Sequence, residues 1–398
     1  MQALVVERKP LRFAAARMAS EAGAGRGARV GPLRLKEVAA PVLPGPAWVR
    51  VRPRLSGICG SDLATVDGRS SRWFESVVSF PFTPGHEIVG DTEDGRRVVV
   101  ESVLGCPARG VEPRCPACAV GATDRCERLH VGALEPGLQT GFCCGTGGGW
   151  GQELVADESQ VHEVPAELSD EAAVMVEPVA CALHAALSVP TDGGVVAVLG
   201  AGTLGLCTAA AVAAHGSPSR LIVGAKHPEQ QRLARARGAT DVVSGRELAR
   251  AVRRATGSFA YDNGTLTGGA DVTYDCVGSS DSISTSVAMT RPGGTVVLVG
   301  MPATVTVDLT SLWQQQIRLQ GAYAYGVEPA LGPASGAGGL ADARTFPAAM
   351  ELVVRADLGR LVSARYPLAR FTDAIDHAAH AGARGAVKIA FAPQEKLR

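Results

Sequence analysis

The chain has 398 residues, with 39 Lys plus Arg against 39 Asp plus Glu and a hydrophobic content of 46%. Zero net charge gives no whole-molecule attraction to nucleic acid or anionic lipid. No run of about 20 apolar residues marks a membrane span, and Met1–Lys9 lacks the pattern of a secretory signal. A cytoplasmic, reducing setting is therefore expected, where the ten cysteines speak for metal or catalysis more than for disulfides.

The length fits two to three domains, and two of roughly 150–200 residues would each be large enough to bury a core. Abundant glycine (48) and few aromatics (5%) favour an α/β protein over a β-sandwich. In chain order, Ala3–Glu7 and Trp48–Pro53 alternate as half-buried strands do. Between them Ala14–Arg29, rich in Ala, Gly and Arg, reads as a flexible insertion or surface loop. His86–Gly90 and Arg97–Val103 are strand-like runs separated by the hairpin signal Asp94-Gly95. Gly105–Cys126 and Gly145–Gly151 are loops.

Ser169–Ala186 reads as a helix capped by Ser169. From Gly193 a β-α-β-α alternation begins: strand Val195–Leu199, helix Leu204–His215, strand Arg220–Gly224, helix Pro228–Gly238. Further strands follow at Asp271–Val277, Thr295–Val299 and Arg318–Tyr323. That order implies a doubly wound parallel sheet with helices on its faces. Residues 326–344 read as loop, and 346–391 as helix, strand, helix, strand.

Val195–Gly205 (VVAVLGAGTLG) carries GxGxxG after an apolar strand and at the opening of a helix, the context that makes the motif a dinucleotide site. Gly200 allows the tight turn, Gly202 lets backbone approach the pyrophosphate, and Gly205 lets helix and strand pack closely. Thr203 and Leu204 complete the phosphate-facing first turn. At the end of the second strand an NAD site presents a carboxylate to the ribose hydroxyls. Here Ala225 stands in that place, followed by Lys226 and His227, with Arg232 a helical turn on. The cofactor expected is therefore NADP(H), held at its 2′-phosphate by these basic residues. Val277 and Gly300 belong to the later strand ends of the same domain.

Two cysteine-bearing regions remain. Cys115-x2-Cys118-x7-Cys126, with Cys106 upstream, offers four thiolates, the complement of a closed structural zinc. The other is Gly57-Ile58-Cys59-Gly60-Ser61-Asp62, followed by Gly85-His86-Glu87 and later by Glu177-Pro178. Cys, His and Glu are zinc ligand types. In this order, ahead of the GxGxxG strand, the motifs resemble the zinc-dependent medium-chain dehydrogenases, most closely the threonine, sorbitol and glucose dehydrogenase branch. The resemblance spans nearly the whole chain.

It implies a GroES-like, β-rich catalytic domain over residues 1–182 and 328–398, and a Rossmann domain over 183–327. It also implies a homodimer or homotetramer acting on a small-molecule alcohol or carbonyl. Cys59, His86 and Glu177 would hold a catalytic zinc, with Glu87 a ligand in some states. Asp62 would orient His86, and Ser61 would relay the hydroxyl proton. The family often extends that relay with a His soon after the Cys, but Leu63-Ala64-Thr65 has none, which leaves a water chain or Asp67. Four structural-zinc cysteines are normally closely spaced in the family. Here either Cys106 reaches in across an inserted loop or the site is degenerate.

Cys143 and Cys144 read as packing or pocket-wall residues, and Cys181, Cys207 and Cys276 as core. Trp73, Phe74, Phe142, Trp150, Tyr323 and Tyr325 lie in loops that would wall the pocket, which hints at a partly apolar or ring-shaped substrate. The alternative within enzymes is an NAD-linked polyol, sugar or threonine dehydrogenase. The alternative of another class is a non-catalytic nucleotide-binding protein on the same fold. Loss of Cys59, Ser61 or His86 would favour the latter, and all three are present.

Overall fold

The computed structural model describes residues 1–332 and 343–395. Residues 333–342, the middle of the loop expected over 326–344, lie outside the described set. Its contacts divide the chain into two bodies, 1–177 with 325–398, and 178–324. The boundaries expected from the sequence were 182/183 and 327/328. Among the described residues no helix is long and apolar enough to cross a membrane.

The first body contains β1 (Gln2–Val6), β2 (Leu33–Glu37), β3 (Trp48–Gly57), β4 (Ile88–Thr92), β5 (Arg97–Val100), β6 (Leu154–Asp157) and β7 (Val161–Glu163). The second holds β8 (Val195–Leu199), β9 (Arg220–Gly224), β10 (Asp241–Val243), β11 (Ala270–Asp275), β12 (Thr290–Leu298) and β13 (Arg318–Gly321). β14 (Val362–Tyr366) and β15 (Lys388–Phe391) return to the first.

In the first body the main sheet runs β14-β15-β3-β4-β5-β7, with β6 also on β3. Val51 and Leu55 of β3 face the core while Arg52 and Arg54 point to water, the alternation that the WVRVRP run requires. Pro53, which lacks an N–H, sits at an irregularity in the β3–β4 pairing. β3 and β4 are antiparallel, with Ser56 opposite Ile88. The exit of β3 and the entry of β4 therefore lie side by side, which brings Cys59 next to His86 and Glu87. On the other flank of β3, Ala390 of β15 pairs with Gly57.

The segment read as a flexible insertion is not one. Pro10–Glu21 is a helix with Pro10 in its first turn, and Gly27–Val30 forms a further short turn of helix. Ala28 belongs to the same core cluster as Ile58, Trp150 and Phe391, and Ala16 is likewise buried. Alanine has the highest helix propensity, and the buried stripe is built from small residues, Ala16 and Ser20, that an apolar count overlooks. Asp67 fastens the segment, accepting the N–H groups of Gly25 (2.8 Å) and Gly27 (3.0 Å). Arg69 donates to Ser20 O at 2.6 Å. Asp67 is thus a loop clamp, with both carboxylate oxygens accepting backbone N–H groups.

The helix expected over Ser169–Ala186 is in two pieces, Asp170–Ala173 capped by Ser169 Oγ, and Val176–Leu187. In the second body the order is β10-β9-β8-β11-β12-β13, with every pair parallel. The chain leaves β8 in one direction through β9 and β10 and in the other through β11 to β13. The order thus reverses between β8 and β11, and the carboxyl ends there form the ligand crevice of a doubly wound sheet.

Candidate metal centres and cofactor site

Cys59 sits at the N-cap of the helix Gly60–Val66. Its N–H donates to Asp62 Oδ2 at 2.9 Å, which closes the first turn. The ligand atoms of Cys59, His86 and Glu87 converge within 4.8 Å of one another. Two glycines of the flanking motifs are dictated by this packing. A Cβ on Gly57 would lie 1.7 Å from Glu87 Oε2, and Gly85 has φ +96° with Trp150 Cδ1 only 2.4 Å from its Cβ position.

Both His86 and Asp62 are buried. His86 Nδ1 stands 3.7 Å from Asp62 Oδ1, too far for a hydrogen bond, and neither atom has another partner. Burial pushes the His86 pKa down, but Asp62, Cys59 and the charge of Glu177 outweigh it and hold it well above its ordinary value. Burial raises the Asp62 pKa against the pull of His86. Anionic groups thus converge on a point that calls for positive charge. Sulfur, imidazole and carboxylate donors at that point fit a zinc ion. Glu177 is buried, and it bears on His86 and Lys388 through its charge. Ser61 Oγ, one residue from Asp62, has no partner within the chain among the described residues.

Lys388 was not anticipated. Its Nζ lies 2.5 Å from Glu87 Oε1 and 3.2 Å from Ile58 O, with both side chains buried. Burial lowers the lysine pKa, yet Glu87 more than compensates, so the ammonium is held charged. The Glu87 carboxylate is therefore shared between an ammonium and the metal point. Removing one partner of a buried pair leaves an uncompensated charge and costs about 3–5 kcal/mol. We expect Lys388→Met to lose stability of that order in thermal unfolding, and Glu87→Gln with Lys388→Met to recover part of it. An unchanged melting point for the single variant would show that Glu87 does not depend on Lys388.

Cys106, Cys115, Cys118 and Cys126 come together with all four Sγ atoms within 4.8 Å, and all are buried and free of disulfides. Cys106 Sγ is 3.7 Å from Cys126 Sγ. A disulfide requires about 2.05 Å, whereas thiolates 2.3 Å from one tetrahedral zinc are about 3.8 Å apart. Backbone N–H groups point at the sulfurs: Cys106 N at Cys118 (3.4 Å), Cys115 N at Cys106 (3.4 Å) and Arg128 N at Cys126 (3.4 Å). Burial raises the Cys115 pKa, but such donors, first those of Glu127 and Cys118, bring it down to about 7. Cys106 reaches the group because buried Arg109 staples the inserted loop. Its guanidinium donates to the carbonyls of Leu104, Val131, Leu134, Glu135 and Gly137 at 2.6–3.3 Å.

In the second body Gly200 has φ +95°, and a Cβ on Gly205 would meet Gly200 O at 1.8 Å. Gly202 has nothing within 4 Å of its Cβ position, so its backbone is open to a ligand at the N-terminus of the helix Thr203–His215. Thr203 and Leu204 are half-buried in its first turn. Val277 Cγ2 lies 2.7 Å from the Gly200 Cβ position, and Gly300 packs on the Val277 backbone, so Val277 and Gly300 close the loop cluster beside the glycine turn. Ala225 is buried just past β9, with Lys226 exposed and His227 at the N-cap of the helix Pro228–Ala236. Arg232 is turned to Glu229, in a two-pronged pair of 2.6 and 2.8 Å.

Two aromatics expected in pocket walls are core residues. Trp150 is fully buried, edge-on to Phe391 at 4.9 Å, and donates to Gly57 O. Tyr325 is fully buried and bonded to Ser102. Phe142 is half-buried, its ring 5.6 Å from that of His86. Trp73 is exposed, and Phe74 and Tyr323 are at least partly so. Cys143 packs with Trp48, Leu104 and Val155, its pKa pushed up to about 11 by burial. Cys144 is half-buried, Cys207 is buried, and Cys181 and Cys276 are half-buried.

Residues 45–166 match the alcohol dehydrogenase GroES-like domain family, and residues 203–334 match the zinc-binding dehydrogenase family. The chain is 30% identical to a sorbitol dehydrogenase of Arabidopsis thaliana over 303 residues, 71% of this chain and 75% of the relative. It is 30% identical to an L-threonine 3-dehydrogenase of Streptomyces coelicolor over 300 residues, 73% and 80% of the two chains. A Sinorhizobium meliloti 1021 protein described as a zinc-binding dehydrogenase and solved bound to NADP superposes with a TM-score of 0.67 at 25% identity. The match covers 92% of this chain and 98% of that one.

Proposed function

The chain belongs to the zinc-dependent medium-chain dehydrogenase family, and we propose that it moves a hydride between an alcohol or carbonyl substrate and NADP(H). The observation that carries this reading is the buried convergence of Cys59, His86 and Glu87 within 4.8 Å. Zinc at this centre, with Cys59 and His86 as ligands and Glu87 or Glu177 completing the set, supplies Lewis acidity to the substrate oxygen. Gly200, Gly202 and Gly205 would hold the pyrophosphate of the cofactor, whose nicotinamide would supply the hydride chemistry.

The protein side chains do the rest. Ser61 Oγ relays the hydroxyl proton of the alcohol, accepting it while passing its own hydroxyl proton on to water. Lys388 holds the Glu87 carboxylate in place beside the ligands. The four cysteines from Cys106 to Cys126 fill every position of a second zinc and leave none for substrate, so that site is structural.

Cofactor preference is argued from charge. The buried methyl of Ala225 presents no carboxylate to repel a 2′-phosphate, and Lys226 is exposed beside it with no ion pair among the described residues. One charge-assisted hydrogen bond to phosphate contributes roughly 1.5–3 kcal/mol, about tenfold in affinity or more. A second reading, NAD(H), is favoured by Arg232, which is engaged by Glu229, so that a carboxylate rather than a free guanidinium stands on that turn. We expect a higher kcat/KM with NADP(H) than with NAD(H), a fall of about tenfold in that ratio for Lys226→Ala, and a reversed order for Ala225→Asp with Lys226→Ala. An equal or better value with NAD(H) in the unaltered enzyme selects the second reading.

A further inference from the structure

Resting on the dehydrogenase reading, we propose that Asp275 is a positioning residue of the nucleotide site: it fixes Val277 on the glycine turn and so sets dinucleotide affinity from behind the cofactor. Asp275 ends β11, next to β8, where the strand order reverses. It is fully buried, and no cation pairs with it among the described residues. A buried carboxylate without an ion pair needs hydrogen-bond donors, and those of Asp275 all come from the loop and helix that follow it. Its Oδ1 accepts the N–H groups of Val277 (2.8 Å) and Gly278 (3.0 Å), and its Oδ2 accepts the Ser282 hydroxyl (2.8 Å). Ser282 lies in the first turn of the helix Ser280–Met289, so the carboxylate also sits at the positive end of that helix. The main-chain carbonyl of Asp275 accepts the N–H groups of Val299 and Gly300, both at 2.9 Å. One residue thus orders the two loops beside the glycine turn, 276–278 and 299–301.

The consequence falls on Val277. On one side the Gly200 N–H donates to Gly224 O at 3.1 Å. On the other, Val277 Cγ2 lies 2.7 Å from where a Cβ on Gly200 would stand. The glycine turn is thereby held between the end of β9 and the 276–278 loop. A Cβ on Gly278, which has φ +78°, would meet Gly300 O at 2.9 Å, and a Cβ on Gly300 would meet Val277 N at 2.6 Å. The two loops are packed backbone to backbone and move together. Yet Val277 is 49% exposed, at the carboxyl ends of the strands, where a doubly wound sheet takes its ligand. An apolar side chain held there through its own main chain is a wall for the cofactor and not part of the core. Removing the carboxylate leaves two N–H groups and a hydroxyl without their acceptor. The loop then has to open to hydrate them, which takes Val277 off the turn. Losing a buried acceptor of this kind shifts an equilibrium by about tenfold or more.

The test titrates the zinc-loaded enzyme with NADPH and with NADH, following nicotinamide fluorescence, with zinc content and melting temperature recorded. The variants are Asp275→Ala, Asp275→Asn, Val277→Ala, and Asp275→Ala combined with Val277→Ala. Asn keeps the size of the side chain and an oxygen for the two N–H groups. We expect Asp275→Ala to weaken the better-bound cofactor by about tenfold or more at unchanged zinc content, and Asp275→Asn by less than about threefold. Because Asp275 acts through Val277, its replacement by Ala should weaken binding by only about threefold once Val277 is already Ala, whereas independent contributions would multiply. If Asp275→Ala does not fold, Ser282→Ala, which removes the hydroxyl alone, carries the same cycle with a smaller loss in the same direction. Cofactor affinity that ignores these substitutions, or that falls by the same factor with Val277 and with Ala at that position, overturns the proposal and leaves the dehydrogenase reading intact. An unaltered enzyme that binds neither NADPH nor NADH overturns both.

Discussion

Replacing Cys59 by alanine should remove the catalytic metal and lower turnover by about a thousandfold or more. The magnitude follows from the role of the ion. A Lewis acid on the substrate oxygen contributes several kcal/mol to the transition state, and each 1.36 kcal/mol is tenfold in rate. Cys59 contributes the sulfur donor of the three that converge, and Ala leaves His86 and Glu87 without it. The glycine turn proposed to bind the cofactor lies in the other body, built on β8 and the helix Thr203–His215. A nicotinamide fluorescence titration should therefore give an unchanged cofactor affinity for Cys59→Ala. Zinc analysis should show about one equivalent fewer per chain. Full turnover in this variant would remove Cys59 from the site.

The second large effect belongs to the other cysteine cluster, and it should appear as stability before chemistry. Structural zinc in small sites contributes apparent binding energies of about 10–16 kcal/mol that are also folding energy. If a third of that is felt here, about 4 kcal/mol, the melting temperature falls by roughly 8–16 °C at about 2–4 °C per kcal/mol for a body of this size. Cys118→Ala tests this, because Cys118 is buried and its sulfur accepts the N–H of Cys106. The variant should lose one zinc per chain while its catalytic zinc stays. Retention of both zinc ions with an unchanged melting temperature would remove Cys118 from the second zinc site.

The site was legible where its chemistry is local and strand polarity does the rest. GICGSD and GHE are short motifs, and antiparallel β3 and β4 bring them together without any long-range inference. The GxGxxG turn is legible for the same reason: its strand, turn and helix are contiguous. Lys388 was not, because it lies 301 residues from Glu87 and a lysine in sequence reads as surface. Its place is fixed only by the pairing of β15 with β3. Cys106 was ambiguous because spacing cannot show that Arg109 folds the inserted loop back on itself.

The misread segments share a physical cause, which is that composition does not report burial. An Ala-, Gly- and Arg-rich stretch reads as loop, yet small residues are what let the helix Pro10–Glu21 lie close on its neighbours. Trp150 and Tyr325 lie in loops by sequence but are among the largest side chains of the interior, each with its polar atom bonded. Of the aromatics named for the pocket, Phe142 packs its ring against His86, tilted and 5.6 Å away.

The central claim is that turnover depends on one zinc held at Cys59 and His86. The most direct measurement follows alcohol oxidation with NADP against zinc content while a chelator is titrated into the purified enzyme and zinc is then restored. The account predicts about two zinc ions per chain at the start. Activity should fall in proportion to loss of the first, return when zinc is added, and be lost while the zinc of the four-cysteine site is still bound. Undiminished turnover in a chain that has lost all its zinc would contradict it.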